Sequence, residues 1–432
     1  MMEGKYSERL SNEDVVLLRD LARQISEIAA DPIMEEKAVL WTRLNGLKKT
    51  RPMILCVPQA GWQEIVPVSD YLVKDPFFGE YEQAWKKTIY KYHNFQDDEV
   101  VTDTVYVPYT IEMTDWVENR ERPFSNDYQK SGAFHPCIHD YSDLRKMKFP
   151  TATLNIEKSN ENFELAKELF GDCLNVVQGV PLGPDDQGGV MGWGNSLIDI
   201  WCELRGLEQV FSDLILEPEL TKEAMQFLMD GTINYLKQGE KEGFWQLNNN
   251  GYMAKANTPC GSNGLAYTDE LPAEDFAGRV RLKDLWLYTM AQEFTCVSPA
   301  MLEEFVLPYQ LEIQKLFGMN AYGCCENCDQ KWDLITNTVP NLRVLSVAPH
   351  GNLQLAVETL EDRYVLCWRP NPGLILGVYN REKNREILKE EMRVAEGSHL
   401  NVSLREIHTV YNNPRMLSEW VEDALELAME YA

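Results

Sequence analysis

Three of the chain's ten cysteines fall within five residues, in Tyr322-Gly323-Cys324-Cys325-Glu326-Asn327-Cys328. Thiols this close together are the first candidates for chemistry: metal ligation, nucleophilic attack or dithiol redox. Zinc suits the set. It takes thiolate, imidazole and carboxylate ligands in a tetrahedron, and a catalytic centre leaves one position open. Two more metal-capable residues follow downstream, His350 in Ala348-Pro349-His350 and Cys367 in YVLCWRPNP. Cys324 and Cys367 are the first choices as ligands, and Cys325, Glu326 and His350 compete for the third place. Two other readings stand beside this one: core or loop thiols with no metal, and a redox pair of Cys325 and Cys328. The redox pair lacks a thioredoxin-like context, and no second CxxC pair is present to make a zinc ribbon or knuckle.

The elements around these residues explain how they could meet. Met319–Gly323, Arg343–Val347 and Tyr364–Cys367 read as short buried strands, separated by helical stretches at Lys331–Thr338 and Leu353–Leu360. Strands alternating with helices predict a parallel sheet, and its carboxyl ends are where reactive side chains collect. Adjacent strands lie about 4.8 Å apart, so neighbouring ends can share one ion. Alternation along an extended strand puts Tyr322, Cys324 and Glu326 on one side and Cys325 on the other; a chain that leaves the strand at Gly323 frees Cys325 to join them.

Upstream, Ser11 followed by Asp14 predicts a capped helix, and a second helical stretch runs to about Lys49. Met53–Val57 between prolines reads as a buried strand, and the region from there to about Asp140 as strands and long loops. Thr151–Leu154, Leu174–Val177, Gly243–Asn248 and Leu374–Val378 are further strand candidates. Helices are expected at Asn162–Phe170, Leu197–Leu216 with a break at Gly206, after Pro218, after Ser298, and at Glu382–Val394 and Arg415–Tyr431. The fold expected is α/β, a (β/α)8 TIM barrel over 51–432 with an N-terminal helical extension over 1–50; an open doubly wound sheet is the alternative.

Other motifs weigh less. His135 and His139 stand four apart, but Pro136 favours a loop over a metal-binding helix. Asp97-Asp98 and Asp185-Asp186 read as solvated loop acids. The glycine-rich loop 183–195 matches no phosphate-binding fingerprint, and there is no GxSxG elbow. Trp62, Tyr106, Tyr109, Trp116, Trp193, Trp245, Tyr252 and Trp368 could cage a methylated ammonium, or simply pack. Tyr322 and Trp193 are the candidates for touching substrate.

The net charge is −27, and the pI is about 4.7. Such a field repels phosphate backbones and anionic lipid, so neither nucleic acid nor a membrane surface is an expected partner. No run of about eighteen apolar residues occurs, and the N-terminus lacks a signal peptide's apolar stretch, so a cytoplasmic protein with reduced thiols is expected.

From Cys324 to Pro372 the sequence resembles the uroporphyrinogen-decarboxylase-like superfamily, which includes true decarboxylases and zinc methyltransferases serving corrinoid proteins. YGCCEN is similar to the His-x-Cys strand end of the methyltransferases, with Tyr322 where histidine is usual and Cys324 at the cysteine. Cys367 in LCWRPNP resembles the later cysteine. DIWCELRGLEQVFSDLILEPE and VSPAMLEEFVLPYQLEI resemble two helical segments of the family, so the likeness spans roughly residues 150–430. PQAGW faintly echoes the decarboxylases' N-terminal motif without its arginines.

The resemblance implies a TIM barrel and a zinc-dependent methyltransferase. Its methyl group would pass between a small methylated substrate or thiol and a corrinoid carried on a separate protein, since no DxHxxG appears here. A metal-free decarboxylase of a polycarboxylate and a non-catalytic barrel that binds a methylated ligand are the alternatives.

Overall fold

The computed structural model describes residues 8–118, 135–181, 196–249 and 263–432. Two helices open it, α1 (Asn12–Ala29) and α2 (Pro32–Asn45). Ser11 and Asp14 form a reciprocal capping box at the start of α1, as their spacing predicts, and Asp31 caps α2 ahead of Pro32. Leu18, Leu21, Ala22, Ile25 and Ile28 make the buried stripe of α1. These helices pack into the same core as the inner face of the main sheet. Trp41 Nε1 donates to the Asp98 carbonyl (2.8 Å), and the Asn45 amide donates to the carbonyls of Leu265 and Tyr267 (both 2.8 Å).

Among the described residues twelve strands follow: β1 (Met53–Cys56), β2 (Thr104–Val107), β3 (Ile111–Met113), β4 (Ala152–Leu154), β5 (Asn175–Gln178), β6 (Val180–Pro181), β7 (Trp245–Gln246), β8 (Trp286–Thr289), β9 (Met319–Tyr322), β10 (Leu342–Val347), β11 (Val365–Trp368) and β12 (His399–Leu404). Six of them form a parallel sheet in the order β1-β12-β11-β10-β9-β8. β2 pairs with β5 and β6 with β7, both parallel, while β3 and β4 form an antiparallel pair. The fold is therefore mixed α/β with a parallel sheet. Among the described residues, backbone ladders do not close the six strands into a ring.

Side chains occupy both seams. At the free edge of β1, the Ile54 amide donates to Asp98 (2.7 Å) and the Cys56 amide to Asp97 (2.8 Å), while the Asp98 amide donates to the Ile54 carbonyl (2.9 Å). At the edge of β8, the Asn248 amide donates to the Trp286 carbonyl (3.0 Å), and the Trp286 amide returns a bond to Asn248 Oδ1 (2.9 Å). Asp97 and Asp98, expected to be solvated loop acids, are almost fully buried. They stand in for a neighbouring strand, satisfying main-chain donors that would otherwise be orphaned.

The two faces of the sheet differ. Met53, Leu55, Trp286, Tyr288, Met319, Ala321, Val344, Val365 and Cys367 face inward towards α1 and α2. Leu287, Tyr322, Leu345, Leu366, Leu400 and Leu404 belong to the core beneath the outer helices.

Three local expectations change. Pro76–Asn94 is a long helix where loops and strands were expected; Asp75 caps it, and Phe78 and Trp85 recur at helical spacing on its buried side. Leu374–Val378 is no strand, because Asn371 caps a short helix over Pro372–Leu376. β8 and β12 are strands that the apolar pattern did not reveal.

Asp98 also forms a two-pronged ion pair with Arg51, at 2.7 and 2.8 Å. Asp98→Ala strands that guanidinium and one main-chain donor of β1, the Ile54 amide. We expect a loss of about 3 kcal/mol, measured as a lower urea midpoint at unchanged slope.

Candidate active site at the carboxyl ends of the strands

β9 ends because Gly323 turns to φ +94°, a conformation that side-chain-bearing residues avoid. A Cβ there would come within 3.3 Å of Ser346 on β10. The turn puts consecutive thiols together: Cys324 Sγ and Cys325 Sγ lie 3.6 Å apart. Ser346 Oγ donates to the Cys324 carbonyl (3.1 Å), and the Asn263 amide donates to that of Gly323 (3.1 Å), so both flanks of the turn are fixed.

One residue beyond β11, Arg369 is completely buried. Its Nη1 lies 3.5 Å from Cys324 Sγ, 3.4 Å from Cys325 Sγ and 3.1 Å from Glu406 Oε1. Glu406 stands two residues past β12, with Oε1 3.6 Å from Cys325 Sγ. Glu406 and Gln59 both hold left-handed backbones, at φ +55° and +48°. The Glu406 amide donates to Gln59 Oε1 at 2.5 Å. Two strained, hydrogen-bonded positions on neighbouring strand ends are the kind of feature that collects at functional sites.

Glu326 turns back beneath the sulfurs. Its carboxylate accepts from the Cys324 amide (2.7 Å) and the Ala291 amide (2.9 Å). Burial pushes its pKa upward, as does the neighbouring Cys324. Burial also works against the charge on Arg369, but Cys324, Glu406, Cys325 and Cys367 outweigh it and hold the guanidinium firmly protonated. The Cys325 thiol is driven up by its hydrogen bond with Cys324 and by burial, against the pull of Arg369. Glu406 Oε2, Arg405 Nε and Asn263 Oδ1 are buried with no partner among the described residues.

Cys324 and Cys325 therefore meet, and Glu326 holds the backbone of the first. Cys367 lies two residues before Arg369, in the inward core, where the Asn401 amide donates to its sulfur at 3.4 Å. Burial raises its pKa, though Arg369 and Arg405 oppose this. His350 is exposed on the loop after β10, and its carbonyl accepts from Asn327 (3.2 Å). Tyr322 faces the helix layer and does not share a side with Cys324, because Gly323 ends the alternation there. Trp193 lies outside the described residues, as do Tyr252 and Asp185-Asp186.

Trp62 packs on Tyr90 and Phe95, Trp116 on Phe227, and Trp245 on Tyr235 and Phe244, so these rings sit in separate contacts and form no cage. His135 and His139 are exposed. Arg369, Glu406 and Gln59 were missed by sequence reasoning. Arg369 was within reach, since it follows Cys367 by two on the same strand line; Glu406 was hidden because β12 was not read as a strand. Among the described residues no three His, Cys, Asp or Glu side chains close around a single point, and the cation among the sulfurs and Glu406 is Arg369.

No family model matches the chain, and no curated protein matches it. Among solved structures, a methyltransferase from Methanosarcina mazei is similar over 90% of this chain and 97% of its own, at 13% identity and a TM-score of 0.46. A likeness at that level leaves the chemistry to be argued from the site. No helix among the described residues is long and apolar enough to cross a membrane.

Glu326→Gln keeps one acceptor oxygen but turns an NH2 towards one of the two amides. The expected cost is about 2 kcal/mol of stability, read from urea unfolding.

Proposed function

We propose that this chain is a methyltransferase with a zinc centre on Cys324, Cys325 and Glu406, exchanging a methyl group between a small methylated substrate or thiol and a corrinoid on a partner protein. The observation that carries the reading is the pair of adjacent thiols with the Glu406 carboxylate beside them at one strand-end mouth. A tetrahedral zinc ion with ligands at about 2.3 Å (S) and 2.0 Å (O) has S–S and S–O edges of roughly 3.8 and 3.5 Å. The Cys324–Cys325 and Cys325–Glu406 separations, both 3.6 Å, are close to two of the three edges such a set would need, and the third would have to close on binding. The orphaned Glu406 Oε2 offers a further lone pair to a cation.

Charge supports the same donor set. With both thiols ionised, Cys324, Cys325 and Glu406 carry three negative charges, which a divalent ion and Arg369 together neutralise. Arg369 would then be the second cation beside the ion. When bound, zinc supplies Lewis acidity towards a thiol or a methylated heteroatom. The chain's own groups do the positioning: Glu326 fixes the Cys324 amide, Gln59 fixes the Glu406 backbone, and Arg369 keeps the mouth electrically balanced. Cys367, one layer deeper and held by Asn401, is assigned to packing and takes no part as a ligand.

β2, β5, β6 and β7, which also pair in parallel, would continue the six-stranded sheet into a TIM-type α/β barrel, with Asn248 and Asp97-Asp98 at its seams. The corrinoid partner would approach the mouth. Reduced thiols suit a cytoplasmic setting, and the nine described cysteines are free.

Elemental analysis of the purified chain tests this. Stoichiometric zinc is expected in the wild type and in Cys367→Ser, with most of it lost in Cys324→Ser, Cys325→Ser and Glu406→Gln. Gln59→Ala should weaken zinc binding by about tenfold. A wild-type protein purified without zinc that also takes up none on reconstitution would defeat the proposal. Methylation of cob(I)alamin by a panel of methylated amines, ethers and thiols then identifies the donor.

A further inference from the structure

By spacing, Cys325 and Cys328 are the redox pair to consider, but the structure gives Cys325 a different neighbour. Cys328 is 2% exposed and packs in the core beneath the outer helices. The Cys325 sulfur instead meets Cys324 Sγ at 3.6 Å, Arg369 Nη1 at 3.4 Å and Glu406 Oε1 at 3.6 Å. Cys324 and Cys325 are both partly exposed at the mouth, within reach of a small solute, whereas Cys56, Cys202, Cys328 and Cys367 are buried.

The backbone holds the two sulfurs in position to join. Gly323 turns the chain at φ +94°, and Glu326 and Ser346 pin the Cys324 main chain at its amide (2.7 Å) and carbonyl (3.1 Å). Arg369 Nη1 lies against both sulfurs. A disulfide sets its sulfurs about 2.05 Å apart, so closure takes a shift of about 1.5 Å, which side-chain rotation supplies. Neighbouring Cα atoms sit about 3.8 Å apart, short of the roughly 4.4–6.8 Å that ordinary disulfides span. A bond between adjacent residues is therefore strained, and strained disulfides are the easily reduced, regulatory kind.

We propose that Cys324 and Cys325 form a reversible modification site, closed to a disulfide by hydrogen peroxide and reopened by thiols. Cys324, approached by both Arg369 Nη atoms at 3.5 and 3.6 Å, attacks first. An S–O bond forms, the O–O bond breaks, and water leaves with the Cys324 proton, so that a sulfenic acid remains. Cys325 then attacks the oxidised sulfur. The S–S bond forms, the S–O bond breaks, and a second water carries off the Cys325 proton, which Glu406 Oε1 is placed to relay. Two electrons pass from the sulfurs to the peroxide. The site goes beyond methyl transfer; only its consequence, release of the ion, rests on the zinc reading, because closure leaves Glu406 alone of the three ligands.

Peptide mapping of the full chain tests this. The protein is stripped of metal, reduced, treated with a small molar excess of hydrogen peroxide, alkylated and cut with trypsin. The peptide 316–331 holds Cys324, Cys325 and Cys328. It should lose two hydrogens and carry one alkyl group, on Cys328. Excess glutathione added before alkylation should reopen the bond, leaving all three cysteines alkylated. Cys328→Ala should close the bond as the wild type does, and Cys325→Ser should stop at a Cys324 sulfenic acid that dimedone traps. A bond to Cys328, full alkylation after peroxide, sulfinic acid in place of the bond, or a bond that glutathione leaves closed overturns the inference. With zinc loaded, the ion should appear in a chromogenic chelator in step with the bond. A chain that holds zinc on the pair but forms no such bond when stripped fails this inference alone; one that forms the bond but takes up no zinc fails the zinc reading alone.

Discussion

A guanidinium with no solvent exposure needs acceptors in place of the water it has lost, or its desolvation goes uncompensated. Arg369 imposes that condition on the mouth of the sheet. Cys324 and Cys325 come to it from β9, Glu406 from β12, and Gln59 reaches from β1 to hold the Glu406 backbone. The left-handed turns at Gln59 and Glu406 and the glycine turn after β9 are the backbone's answer to one buried positive charge. Metal-dependent chemistry at this site has to begin from that balance, since any added cation changes what Arg369 must satisfy.

Part of this was legible in the sequence. Adjacent cysteines after a short apolar run, followed by glutamate, identify β9 and its end. The capping pairs at Ser11 and Asp14, at Ser298 and Pro299, and the break at Gly206 mark helices that the structure contains. β9, β10 and β11 read well because they are largely buried on both faces and so appear as short apolar runs.

The rest was hidden for a physical reason. β12 alternates Leu400, Val402 and Leu404 on the outside with Asn401 and Ser403 on the inside, so its interior face is polar and resembles a loop. Hydrogen bonds from Asn401 to Cys367 and from Ser403 to Asn401 satisfy that face. Glu406 was lost with the strand that carries it. Asp97 and Asp98 were misjudged in the same way, since acids serving main-chain amides in a core look the same in sequence as acids in water. Tyr322 shows the opposite failure: strand alternation was applied one residue too far, across a glycine that had already left the strand.

The carboxylates at the seam of β1 have a bearing on how molecules of this protein meet one another. A sheet margin with unpaired main-chain groups is a template on which a second chain can add a strand, and many proteins guard it with charge or cover. Here the Ile54 and Cys56 amides are already taken by Asp98 and Asp97, and the Asn248 side chain holds both main-chain groups of Trp286. The sheet thus offers little purchase for intermolecular strand addition at either margin, even though its backbone does not close on itself.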